Sequence, residues 1–267
     1  MNRFPRILLP VLLAAAAVGH AAGLPDTGQD TCYTNSTAVV ESATHMFSVA
    51  RDTADYPRQD CRYGRDPMTS AGLLRKTGAG YGGFDYTKIA NNGTALPFNA
   101  QLGSANTEWA CTRDNTTGLT WEVKTLGVTA LRYYDHKYQW YSTDGSTNGG
   151  SAGSIGTNDC ASTLPGGNCN TQAYTTAVNG AALCTYMDWR LPTQRELLTL
   201  VYANGTIPAV DPIFLRYTPL ADFYWSATTS AYVPQFAWGV DFVTGGLKVA
   251  GKAGFAAHLR LVRGGPF

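Results

Sequence analysis

The sequence predicts an α+β domain in which two helices precede a small antiparallel sheet, and three observations carry that expectation. Two segments carry helical signals, residues 171–184 and the stretch from Thr193 onward. Near the end, Phe236, Trp238, Val240 and Phe242 alternate strictly; Thr244-Gly245-Gly246 and Leu247-Lys248-Val249-Ala250 follow, the pattern of a hairpin with one covered face. Six cysteines, Cys32, Cys61, Cys111, Cys160, Cys169 and Cys184, follow an apolar leader, an even number that favours three disulfides in an oxidising compartment.

The leader justifies the compartment. Arg3 and Arg6 stand ahead of an apolar run from Ile7 to Val18 that ends in small residues, so residues 1–22 read as a signal peptide. The run is shorter than the roughly 20 residues a bilayer span needs, and no later run is longer and as apolar. The expectation is an exported chain without a transmembrane segment, located in the periplasm, at the cell surface or outside the cell.

Residues 23–104 are rich in Gly, Thr, Asn and Asp and read as an irregular N-terminal elaboration. Residues 105–267 read as the main domain. It opens with the turn cluster Asp114 to Gly118, followed by Leu119, Trp121 and Val123 on one face of a strand. In "LRYYDHKYQWYS" the even spacing of Tyr134, Tyr138 and Trp140 places all three on one side if the segment is extended. The Gly/Ser-rich loop after it leads to a helix over 171–184, with Thr171 as cap and Ala173, Ala177, Val178 and Ala181 as its apolar stripe; Gly180 weakens it. The aromatic segment around Trp225, the alternating run through Trp238 and the strand bearing Leu259 and Leu261 complete the sheet.

Closeness in sequence favours pairing Cys160 with Cys169 and Cys32 with Cys61, leaving Cys111 for Cys184, although six thiols permit many other pairings. Charge is balanced, with 20 basic and 19 acidic residues, 18 against 19 once Arg3 and Arg6 are removed. This balance, with export, disfavours nucleic acid as a partner. From Phe242 to the end, however, there is no carboxylate, while Lys248, Lys252, Arg260 and Arg263 all fall there.

The segment "DWRLPTQREL" starts the second helix. Thr193 followed three residues later by Glu196 is a capping box, and Leu197, Leu200 and Val201 extend an apolar face toward a stop at Asn204-Gly205. Trp189 is expected in the core, and Arg190 as a half-buried guanidinium holding a carboxylate or loop carbonyls.

Taken together, "TRDNTTGLTWEVKT", "YQWYS", "CNTQAYTTAVNGAALC", "DWRLPTQREL", "YWSATTS", "AWGVDF" and "LRLVRGG" resemble, in content and order, the Lcl C-terminal domain family, named for a collagen-like adhesin. The resemblance covers about residues 109–265, and the upstream "TGQDTCY" and "GRD" resemble leaders found before such domains. It implies a C-type lectin-like fold, on which "RLPTQREL" is similar to a segment of formylglycine-generating enzymes. Trp121, Trp189, Arg190, Thr193, Glu196, Trp225 and Trp238 would then be framework. Two departures qualify what carries over. The chain has no Gly-x-y repeat, so a collagen-like stalk does not follow, and the Glu-Pro-Asn and Trp-Asn-Asp tripeptides of calcium-dependent sugar binders are missing.

Catalytic patterns are weak. His45, His136 and His258 have no metal-ligand spacing, so neither a metal nor another cofactor is expected. Residues 149–153 fit a nucleophile elbow only on paper, since no apolar strand leads in, and residues 78–83 fit GxGxxG without a preceding buried strand. A copper-binding cysteine pair near the C-terminus is excluded by the 83 residues without a thiol after Cys184. The expectation is therefore a non-catalytic binding or adhesion module. Its ligand would be an anionic polysaccharide held by Lys248, Lys252, Arg260 and Arg263, with Tyr134, Tyr138 and Trp140 as stacking surface; the alternative is a structural or protein-interaction component of the cell envelope.

Overall fold

The computed structural model describes residues 26–29, 31–33, 38–40, 59–220 and 223–265; the expected leader lies outside them. Strands β1 (Thr31–Tyr33) and β2 (Ala38–Val40) pair antiparallel, and helices α1 (Asp60–Tyr63) and α2 (Arg65–Ser70) follow. The stretch read as irregular also supplies β3 (Tyr86–Ala90) and β4 (Ala95–Leu96), which join the main sheet. Their hairpin was hidden because its turn, Asn92-Gly93, sits among other turn-forming residues; Gly93 takes a φ of 82° there.

That sheet has the order β12-β6-β5-β3-β4, all antiparallel, where β5 is Trp109–Asp114, β6 Thr120–Glu122 and β12 Val262–Arg263. The β5–β6 turn is built as the sequence implies. The Asp114 carboxylate accepts from the Thr116 N–H (2.8 Å) and the Thr117 hydroxyl (2.7 Å), and Gly118 closes on the Asp114 carbonyl. Two smaller sheets follow: β7 (Tyr138–Gln139) with β11 (Ala256–Ala257), and a three-stranded β10-β9-β8 made of Tyr224–Thr229, Phe236–Asp241 and Gly246–Gly251 in chain order. The protein is thus a mixed α+β molecule with short helices and small antiparallel sheets.

Helix α3 (Thr171–Gly180) starts one residue earlier than expected. Asn170, not Thr171, is its cap, accepting from Ala173 N, while the Thr171 hydroxyl ties α3 to the Tyr141 backbone. The helix stops at Gly180 because Ala182 turns left-handed. Helix α4 (Gln194–Leu198) is shorter than its apolar stripe suggests; beyond it the Tyr202 N–H pairs with the Ala209 carbonyl and Ala203 with Thr27, drawing the chain out of the helix.

The disulfides are Cys32–Cys61, Cys111–Cys184 and Cys160–Cys169, the pairing favoured by closeness. The cores sit between helices and sheets. Tyr174 and Val178 of α3 pack with Trp189, Tyr138, Leu259 and Leu261. Leu197 and Leu200 pack with Trp121, Leu119, Val240 and Phe242, and Trp140 and Trp225 join Ala237 and Ala257 in a third group. Trp238 departs from its expected role. It is only half-buried and Phe236 is exposed, because alternation along β9 puts Ala237 and Gly239 on the opposite side, and that is the side covered at this end.

The "DWRLPTQREL" segment locks these parts together. Thr193 and Glu196 form the capping box; the Glu196 carboxylate, fully buried, also receives both terminal nitrogens of Arg190 at 2.8 and 2.6 Å. Arg190 exchanges backbone hydrogen bonds with Val262 of β12, and Asp188 pairs with Arg263. Burial opposes ionisation of Glu196, but the Arg190 guanidinium and the Thr193 N–H outweigh it and hold the carboxyl below the ordinary glutamate range.

Glu196→Gln should therefore cost about 2 kcal/mol in urea unfolding near neutral pH, against about 1 for Thr193→Ala. Because the native pKa is depressed, the charge contributes above the ordinary glutamate value and is lost as pH falls through the native one. The gap between wild type and Glu196→Gln is expected to close on acidification, and a gap independent of pH contradicts the assignment.

Candidate functional site

The four cations grouped by sequence do not form one solvent face. Lys252 is wholly buried and Arg260 is 1% exposed. The Lys252 ammonium donates to the carbonyls of Asn148 (2.7 Å) and Ser151 (3.0 Å) and to the Thr229 hydroxyl, and lies 3.9 Å over the Trp140 ring. With no carboxylate beside it, burial lowers its pKa to about 8. Arg260 donates to the Glu122 carbonyl (2.6 Å) and the Thr218 hydroxyl. Arg263 is paired with Asp188 and stacked 3.6 Å from Tyr186, and half-exposed Lys248 sits 3.0 Å from Asp241. Strand alternation misassigned this segment because both its sides are covered, Leu259 and Leu261 entering one core while the 148–151 loop and Glu122 receive the charges.

The aromatic set divides as well. Tyr138 and Trp140 are core residues, with the Trp140 N–H on the Ser226 carbonyl and the Trp225 N–H on the Tyr138 carbonyl. Tyr134 remains half-exposed, because it lies in a turn ahead of β7.

Beneath β6, Glu122, Lys124 and Tyr174 form a buried polar group. Lys124 is 2.9 Å from Glu122 and donates to the Tyr174 hydroxyl (2.8 Å), which in turn donates to Glu122; the second Glu122 oxygen accepts from Leu261 N–H at 3.0 Å. Burial opposes the Glu122 charge, but Lys124 and these hydrogen bonds outweigh it, whereas burial lowers Lys124 to about 8 against the pull of Glu122. Each polar atom has a partner within the group or, for the second Glu122 oxygen, on the Leu261 backbone, so the group braces β6 against α3.

The open concavity lies at the C-terminal end of α3. A cleft of about 1170 Å³ is lined by the 91–92 and 101–106 loops, the 125–132 loop, residues 178–185 and the pair Arg216-Tyr217. Among the described residues, Arg132 and Arg216 are its charges, and no carboxylate or histidine lines it. Arg132 spends one terminal nitrogen on the carbonyls of Ala110 and Val123, which fixes its planar fork at the wall. Arg216 is exposed, 5.4 Å from the Tyr217 ring, and Tyr217 lies 5.9 Å from Tyr134. Tyr134 is the one residue of the sequence-predicted ligand set beside this cleft.

The cleft is held in a strained backbone. Ala182, Cys184, Thr185 and Tyr217 are non-glycine residues with φ of 48°, 53°, 70° and 56°, conformations that cost on the order of 1–3 kcal/mol each and cluster at functional sites. The Cys111–Cys184 bridge and the Trp189 N–H on the Leu183 carbonyl anchor the floor. His136 anchors the rim: its Nε2 lies 2.8 Å from the Val128 carbonyl, which can only accept, so Nε2 carries the proton. Burial lowers its pKa and favours this neutral form.

Arg132, Arg216 and Tyr217 were not singled out from the sequence. A signal was present: the triplet Leu-Arg-Tyr occurs at 131–133 and again at 215–217, and both copies meet at this cleft.

A family model described as the Lcl C-terminal domain matches residues 110–263. Neither curated proteins nor solved structures give a match.

Lys252→Met should lower stability by about 2 kcal/mol, since it strands two loop carbonyls that the ammonium now satisfies. Chemical unfolding checks this; an unchanged midpoint would mean that Lys252 is not a brace.

Proposed function

Since the chain belongs to the Lcl C-terminal domain family, we propose that it is an exported, non-catalytic binding module whose cleft takes an acidic polysaccharide. The observation that carries this reading is the meeting of Arg132 and Arg216 at a concavity that no carboxylate of the described residues lines, beside Tyr134 and Tyr217. Guanidinium forks match sulfate and carboxylate groups bidentately, and tyrosine faces suit the apolar side of a sugar ring. Three disulfides support export, because such bridges persist in oxidising compartments. The same proposal includes the C-type lectin-like arrangement, in which long loops over a small sheet carry the binding surface.

The lining supports this reading: among the described residues it offers amides, hydroxyls, apolar groups and two cations, without a nucleophile–base pair. A second reading, docking of an envelope protein, is favoured by the exposed Leu247 and Val249 on the open edge strand β10.

Titration of the exported chain with heparin separates the two. Arg216→Ala is expected to weaken binding about tenfold, the equivalent of ~1.4 kcal/mol, and moderate salt to weaken it steeply, whereas Lys248→Glu leaves it nearly unchanged. Binding that ignores both Arg216 and salt would sink the glycan reading.

A further inference from the structure

Away from the cleft, three acidic residues from separate parts of the sequence converge: Asp26 ahead of β1, Asp60 at the start of α1 and Asp66 in the first turn of α2. One carboxylate oxygen from each lies within 4.8 Å of the others. The Gly83 N–H is shared by Asp26 (2.8 Å) and Asp66 (2.6 Å), and the Thr27 hydroxyl donates to Asp60. Two nearby cations of the described residues donate to backbone carbonyls, although the Lys76 charge still acts on Asp26 and Asp66. Lys76 donates to the carbonyls of Gly80 and Gly82, and Arg65 through Nε to that of Gly83.

Proximity of acids alone proves little, since acidic groups gather on many surfaces. The independent observation is Asp26 itself, only 6% exposed, whose Oδ1 is shut off from solvent yet accepts no hydrogen bond. No Lys, Arg or His of the described residues forms an ion pair with it. A buried carboxylate with one oxygen lacking a donor, on a side chain grouped with two further carboxylates, is disfavoured unless positive charge compensates it. The surrounding backbone leaves room for carboxylates and little else: a Cβ on Gly83 would stand 2.6 Å from Asp26 Oδ2, and one on Gly82 1.8 Å from Asp66 Oδ1.

We propose that Asp26, Asp60 and Asp66 bind one divalent cation, calcium by its chemistry. The donors are all hard oxygens with no imidazole or thiolate, which excludes a site made for zinc or copper. Three carboxylates on irregular backbone, completed by water, suit the variable coordination of calcium better than the near-ideal octahedron of magnesium. Calcium is also the cation an exported protein meets at the millimolar concentrations for which extracellular sites are tuned.

The ion would join the segment before β1, the α1–α2 pair and the 81–83 turn, whose Tyr81 N–H is bonded to Asp211 at 3.0 Å. It therefore acts as a clamp between the N-terminal part and the sheet, a role separate from the arginine cleft.

The test is calorimetric titration of the metal-stripped exported chain with calcium chloride and, separately, magnesium chloride, alongside thermal unfolding. One calcium site is expected, with a dissociation constant of about 10⁻⁴–10⁻³ M, weaker magnesium binding and a melting temperature that climbs with calcium. Asp26→Asn and the milder Asp60→Asn, each first shown folded by circular dichroism, should weaken calcium binding at least about tenfold through the lost ligand charge. Asp144→Asn, in an exposed loop elsewhere, should leave it unchanged. Absence of calcium binding at millimolar concentration overturns the proposal, as do two Asp variants that bind like wild type. A third result overturns it too: stability that falls as pH rises toward 8 regardless of calcium, the sign expected if Asp26 is simply a protonated acid with a raised pKa.

Discussion

The carboxylate of Glu196 is the constraint on which much of this fold depends. It closes the cap of α4 and, with the same two oxygens, fixes the guanidinium of Arg190. Arg190 in turn holds β12 through its backbone and reaches the Gly264 carbonyl at 3.3 Å. One buried charge therefore sets the position of a helix, a loop and the last strand, which is itself paired with Trp121 of β6. A neutral group could serve as cap or as packing, but not as the acceptor of a planar cationic fork at the same time.

The same device recurs with its sign reversed. Lys252, Lys124 and Arg260 are cations that a reading of composition would place in water, and each is instead spent on internal acceptors. For Lys252, long loops explain why. Chain without regular structure leaves carbonyls unpaired, and a buried ammonium or guanidinium can satisfy two or three of them at once. The loop at 148–151 is a clear case, since two of its carbonyls converge on Lys252 from one side and the Trp140 face supports the charge from the other.

This bears on what the sequence could reveal. The capping box, the Asp114 turn, the framework tryptophans other than Trp238 and the half-buried role of Arg190 are local features, written in neighbouring residues, and they were legible. Burial of Lys252 and Arg260 depends on the 148–151 loop and on β6, each more than 100 residues away, so alternation gave no hint of it. Trp238 is only half-buried because the side of β9 covered at that end is the one bearing Ala237 and Gly239, which alternation within one strand does not record. The cleft could have been sought through the repeated Leu-Arg-Tyr triplet, but only folding brings residues 131–133 and 215–217 to one place.

The distribution of strain is the strongest reason to treat that place as functional. Of the described non-glycine residues with positive φ, Ala182, Cys184, Thr185 and Tyr217 lie at or beside the cleft. Backbone of this kind persists only where its surroundings over-determine it, and here a disulfide, a tryptophan N–H and a neutral histidine do so. Ordering a loop when ligand arrives would subtract from affinity; a rim fixed in advance avoids that cost. Arg132 illustrates the division of labour, since the nitrogen bonded to backbone carbonyls immobilises the same guanidinium whose other donors remain for a ligand. Rigid arginine beside half-exposed tyrosine, on a scaffold cross-linked at its floor, is the preorganised surface on which the proposed binding role rests.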